Sequence, residues 1–297
     1  MKRFFILLLF LPLVGFSQSN NDTTKVWTFG GDASINFSQV SLSNWSAGGK
    51  SSASGTFLFN AFANYSKDKV SWENSLNLGY GLMKEEDSQS VKTDDKIDFS
   101  SKYGLKGKGK IYYTLLFNFR TQMTDGYKYP DRDNAISTFM APGYLTLALG
   151  ADYKPNDKFS LFVSPLTGKM TVVSDDDLSD QGAFGVDPGK KSRTELGAFL
   201  KTQFKTTVVE NVSLETKLDL FSNYLDKPEN IDIHWDVLIN MKINDYLSAN
   251  LITNLIYDDD VDIAVDSNNN GVIDSADDRS PRVQFKELFG VGLNFKF

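Results

Sequence analysis

Apolar and polar residues alternate with a period of two from Trp27 onward. In Trp27–Phe37 the apolar or small positions are Trp27, Phe29, Gly31, Ala33, Ile35 and Phe37, set against Thr28, Gly30, Asp32, Ser34 and Asn36. Such alternation marks a strand with one apolar face. Eleven further segments repeat it: Phe57–Tyr65, Val70–Leu82, Ile97–Leu105, Tyr113–Phe119, Leu145–Tyr153, Phe159–Val163, Leu196–Phe204, Leu214–Tyr224, Ile233–Met241, Leu247–Tyr257 and Val283–Phe297. No comparable stretch sustains a helical period of 3.6 residues. The pattern predicts an all-β chain of about twelve strands.

The connections alternate in length. Ser66–Lys69, Lys106–Lys110, Lys154–Lys158, Glu210–Val212 and Asn244–Tyr246 are short. Ser41–Ser52, Lys84–Lys96, Thr124–Pro142, Ser174–Ser192 and Asp258–Arg282 are long, with Asp226–Ile231 a medium member of that set. Short turns on one rim, long loops on the other and an even strand count describe a transmembrane antiparallel up-and-down β-barrel of the bacterial outer-membrane kind. A secreted β-sandwich would alternate too, but would end its strands earlier. The C-terminus favours the barrel: Val291, Leu293, Phe295 and Phe297 alternate to a final phenylalanine. It resembles the terminal signal by which such barrels reach their assembly machinery, so Phe297 is the expected handle. Aromatics at strand ends (Tyr65, Trp72, Tyr153, Tyr224, Tyr257) suit interfacial girdles. Both termini are then expected in the periplasm.

Composition changes the picture at one point. The chain has 297 residues, 13% of them aromatic, and a mean hydropathy of −0.29. Its longest apolar run, Phe4–Val14, is too short to cross a hydrocarbon core as a helix. A helical membrane protein is excluded. Lys2 and Arg3 before that run, and small residues at Gly15 and Ser17, read as a leader cleaved after Ser17. The expected organisation is a signal peptide over 1–17, a short periplasmic segment over 18–25 and a barrel over 26–297. Without the leader, 29 basic residues face 38 acidic ones, a net charge of −9 that argues against nucleic-acid binding. The absence of cysteine removes thiol and disulfide chemistry, and a single histidine leaves little for metal centres.

The sharpest local motif runs from Asp266 to Asp277. Asp266, Asn268 and Asn270, then Gly271, Val272, Asp274 and Asp277, follow the spacing of a calcium loop, with Asp277 in place of the usual glutamate. Calcium is therefore the one candidate cofactor. The competing reading is a solvated acidic hairpin tip.

Parity places a mixed set of charges on the lumen side: Asp32, Glu73, Asp98, Lys102, Arg120, Glu195, Lys201, Glu215, Lys217, Asp219, Asp232, His234, Asp236, Lys242 and Lys286. Interspersed signs in a small barrel point to salt-bridged filling. His234 lies beside Asp232 and Asp236 on this inner parity, whereas a Ser/His phospholipase of the outer membrane needs its pair on the lipid-facing wall. No enzyme is expected. The acidic runs Asp175–Asp177 and Asp258–Asp260 read as solvated loops, with cation bridging to lipopolysaccharide a further option.

The loop motifs add a resemblance. Asn44-Trp45-Ser-Ala-Gly48-Gly49, Ser137-Thr-Phe-Met-Ala-Pro142, Ser164-Pro165-Leu-Thr-Gly168-Lys169, Gly182-Ala-Phe-Gly185-Val186 and Gln284-Phe-Lys-Glu-Leu-Phe-Gly-Val-Gly292 resemble those of an uncharacterised barrel family of Bacteroidota, domain-of-unknown-function family 3078. The resemblance implies an outer-membrane location and brings no activity or site residues. Two functions remain open: a narrow small-solute channel or accessory surface barrel with outer loops, and a non-conducting structural or interaction barrel with a plugged lumen. Outer-membrane lipid is the one partner common to both.

Overall fold

The structure, a computed structural model, describes residues 26–43, 46, 50–265 and 278–297. The leader, the segment before residue 26 and the calcium-like loop Asp266–Asp277 lie outside the described residues. Twelve antiparallel strands close into one barrel. They are β1 (Trp27–Val40), β2 (Ser52–Lys67), β3 (Val70–Glu85), β4 (Val91–Lys106), β5 (Ile111–Thr121) and β6 (Gly143–Asn156), then β7 (Phe159–Val172), β8 (Ser192–Val209), β9 (Val212–Asn223), β10 (Ile231–Lys242), β11 (Leu247–Tyr257) and β12 (Gln284–Lys296). Each expected strand is present, and each pairs with its neighbours in sequence.

Closure is made by β1 against β12, in register from Asp32 with Lys296 to Phe37 with Val291. The Phe297 amide donates to the Gly31 carbonyl at 3.1 Å and the Gly31 amide returns the bond at 3.0 Å. A side chain at Gly31 would run into the Phe297 ring and the Asn60 carbonyl, so the seam closes on the smallest residue. Both ends of the barrel therefore sit on the rim that carries the short turns.

The exterior explains the aromatic excess. Phe29 is 69% exposed and Leu293 63%, and both belong to the outward parity of their strands. Trp27, Tyr65 and Trp72 cluster near the short-turn rim, with ring centroids 5.3 and 5.7 Å from Trp27. Strands of 11 to 18 residues match or exceed the roughly 9–11 residues that span a bilayer when tilted.

Three boundaries differ from expectation. The connection expected over Lys84–Lys96 shrinks to residues 86–90, because a bulge between Gly81 and Leu82 lets the β3–β4 ladder continue to Met83 with Val91. β7 continues past Val163 to Val172 through an irregularity in its pairing with β6 and β8, where Pro165 is tolerated. The loop after β7 holds a short helix, α1 (Asp176–Asp180), whose cap Asp175 accepts from the Leu178 amide at 3.0 Å. Val173, Leu178 and Val186 from that loop pack with Ala141 from the β5–β6 loop into a small apolar lid.

Candidate functional site: the lumen and its outer mouth

Inward-facing positions of a barrel either line water or fill the space. Here they fill it. Leu116, Ala148, Phe162, Phe199 and Phe221 form a buried cluster on the inner faces of β5 to β9. Phe162 is wholly buried and meets Phe199 edge to face at 6.4 Å. These phenylalanines occupy polar parity, between Leu161 and Val163, Ala198 and Leu200, and Leu220 and Ser222. Reading that parity for charges alone missed them.

A belt of charge crosses the middle of the barrel. Arg120 on β5 reaches Asp219 on β9 at 2.6 Å and Asp98 on β4 at 3.4 Å. Lys201 holds Asp219 at 2.9 Å. Lys96 on β4 bridges Asp98 at 3.8 Å and Asp236 on β10 at 3.4 Å. His234 bonds to Asp236 at 3.1 Å, and Asn254 donates to the same carboxylate. The belt thus sets Arg120, Lys96 and Lys201 against three carboxylates.

The Lys96–Asp236 pair measures the barrel. Strands β4 and β10 are six places apart in a ring of twelve, hence opposite. A circular barrel of that size, with strands ~4.8 Å apart and tilted ~40°, would hold opposite backbones roughly 24 Å apart. The stems of a lysine and an aspartate together reach roughly 9 Å, and the ion pair adds 3.4 Å. The walls at this level stand at about half the circular distance, so the barrel is flattened and side chains of opposite walls meet across it. Lys286 on β12 likewise crosses to Asp94 on β4 at 2.6 Å.

Two further layers flank the belt. At the short-turn end, Lys102 meets Asp152 at 2.6 Å and Glu73 at 3.6 Å, and Lys154 pairs with Glu73. Glu215 takes Lys217 at 3.0 Å and Lys205 at 3.4 Å. Asp32 accepts from Asn60 at 3.1 Å. At the long-loop end, Lys169 lies among Asp232 at 2.6 Å, Asp258 at 3.4 Å and Glu195 at 3.6 Å. Arg193 joins Glu195 and Asp260, both at 2.9 Å. Carboxylate oxygens of Asp232, Asp258 and Asp260 lie within 4.8 Å of one another, with Lys169 and Arg193 bonded among them.

Most expected lumen residues are brought together, with exceptions. Lys242 turns to Asp245 of the adjacent short turn at 2.6 Å, its side chain 46% exposed, and belongs to the rim. The run Asp175–Asp177 lies in an outer loop with Asp176 and Asp177 exposed, as expected, whereas Asp258–Asp260 is not simply solvated. Asp258 and Asp260 turn inward onto Lys169 and Arg193, Asp259 faces Lys227 at 3.7 Å, Asp175 caps α1, and Asp176 pairs with Lys191. Reasoning from sequence also missed Asp94, Lys96, Asp152, Lys154 and Lys169, which lie in segments expected to be turns or loops, or on strand positions passed over.

Comparison with known proteins adds a match to one family model. Residues 37–127 match the family model described as "Protein of unknown function (DUF3078)". The match takes in β2 to β5; of the five loop motifs only the one at Asn44 falls within it. No curated protein matches the chain. Among solved structures, the translocator domain of autotransporter NalP from Neisseria meningitidis is similar at 8% identity and a TM-score of 0.37, over 94% of this chain and 90% of that one. An outer-membrane channel from Pseudomonas putida F1 gives 12% and 0.38, over 93% and 99%. A FadL homologue from Pseudomonas aeruginosa gives 10% and 0.30, over 91% and 89%. The closed barrel itself rests on the unbroken strand pairing around the ring.

Proposed function

We propose that this chain is an outer-membrane barrel with a closed lumen, serving as a structural or interaction platform through its long loops and catalysing no reaction. The observation that carries this reading is the Lys96–Asp236 pair across the barrel's diameter. Outer-membrane placement is supported by the apolar exterior and by strands long enough to span. Periplasmic termini are supported by the position of both barrel ends on the short-turn rim. On this reading Phe297, paired at the seam, is the handle for the assembly machinery. His234 serves the belt as a partner of Asp236 rather than as a base.

The test is conductance of the purified protein in planar bilayers. The closed reading expects no steady current from the wild type. Reproducible ohmic steps would overturn it in favour of a narrow small-solute channel. The Asp266–Asp277 segment is proposed as a calcium loop on its residue spacing alone.

A further inference from the structure

A cavity of about 210 Å³ opens inside the long-loop half of the barrel, between β12, β1, β2 and β3. Its wall mixes hydroxyl and amide groups with an apolar share from Phe37, Met83, Leu288 and Phe289. Asn36 forms part of that wall and is only 3% exposed. A chain of amides fixes its orientation. Asn240 donates to the Asn250 carbonyl at 2.6 Å, and Asn250 donates to the Asn36 Oδ1 at 3.1 Å. The Nδ2 of Asn36 is left with no acceptor among the described residues. A buried donor without a partner costs about 1–3 kcal/mol.

Two glycines beside the cavity leave no room for a side chain. A side chain at Gly81 would strike the Thr93 and Thr56 hydroxyls, and one at Gly290 would press on Asn36. The charges facing it are Lys286, held by Asp94 at 2.6 Å, and Glu287. They leave no free cation for an anionic ligand among the described residues.

From these features we propose that the cavity is a binding site for a neutral, hydroxyl-rich solute of monosaccharide size. Its volume equals roughly seven waters at ~30 Å³ each, which suits one six-carbon sugar. Asn36 and the threonine hydroxyls bond the solute's oxygens, while Met83 and Leu288 take its C–H face. The proposal goes beyond the closed-lumen reading and does not depend on it.

The experiment is calorimetric titration of the full-length protein in detergent with D-glucose, and with sucrose as the oversized control. Glucose should saturate one site with a Kd on the order of 1 mM, while sucrose gives no saturable heat. Asn36→Leu removes the donor and Thr56→Leu fills the space; either should weaken glucose binding at least tenfold. Cold gel mobility reports whether each variant is folded, and the wild-type curves decide alone if neither is. No saturable glucose binding, equal binding of sucrose, or unchanged affinity in a folded variant overturns the proposal. Conductance is a separate measurement, so the two readings fail independently.

Discussion

Replacing Arg120 by leucine tests whether water reaches the middle of the barrel. The Arg120 side chain is 20% exposed, and its guanidinium serves Asp98 and Asp219 together. Without it the belt keeps two cations, Lys96 and Lys201, against three carboxylates. In a dry, closed lumen this leaves an uncompensated buried charge, and breaking such a pair costs about 3–5 kcal/mol. In a wet lumen the same pairs would behave as surface ion pairs worth about 0–1 kcal/mol. Asp98→Asn on the same background restores two cations to two carboxylates and keeps an acceptor for Asn118, which bonds Asp98 at 2.8 Å. The double variant should therefore recover at least about half of the loss. Urea unfolding in detergent, followed by tryptophan fluorescence, is the assay. With a slope of about 3 kcal/mol per molar, Arg120→Leu should move the midpoint down by about 1 M or more. A shift below ~0.3 M, or a double variant weaker than Arg120→Leu alone, would refute a closed lumen.

Four other outcomes follow from the same structure. Phe162→Ala should cost about 3–5 kcal/mol by emptying the inner cluster, with the same urea assay as the check; a loss under ~1 kcal/mol means the cluster is not packed. Asp175→Ala should weaken α1 by about 1 kcal/mol, raising amide exchange across residues 173–191 while global unfolding stays unchanged. Lys191 beside Asp176 holds its carboxyl below the usual carboxylate range. That contact is therefore complete above the unfolded value near 4 and released as pH falls through the lowered one, visible as a late carboxyl titration by NMR that returns to normal in Lys191→Met. Calcium titration should give one saturable site in the wild type and none in Asp266→Ala; identical calorimetric traces would retire the loop.

Strand number and order were legible because sheet geometry writes directly into sequence. A side chain can face only lipid or lumen, so each crossing leaves a period-two trace. What blurred the trace was the bulge, which adds a residue and shifts parity. Val163 and Leu166 are both outward, 47% and 53% exposed, although three positions apart. Alternation counted from Phe159 therefore ends at Val163, and the outer half of β7 with Lys169 reads as loop. Asp94 and Lys96 were hidden differently: residues 92–96 carry no apolar side chain, so 84–96 looks like a connection although the ladder runs through it.

Parity tells which side of the wall a residue takes, but not how far away the opposite wall stands. Whether charges on the inner face line a pore or bridge it depends on the cross-section, which no local pattern encodes. A cruder signal was present. A water-filled lumen would expose Leu116, Phe162, Phe199 and Phe221, and each large side chain left in water forfeits about 1.5–3 kcal/mol. Four apolar residues on the inner parity of β5, β7, β8 and β9 therefore argue for filling on the strength of the residue pattern alone. Charges on the same faces then have to pair across a narrow dry gap, because unpaired they would be more costly still. The flattened barrel and the three-against-three belt are two consequences of that one constraint.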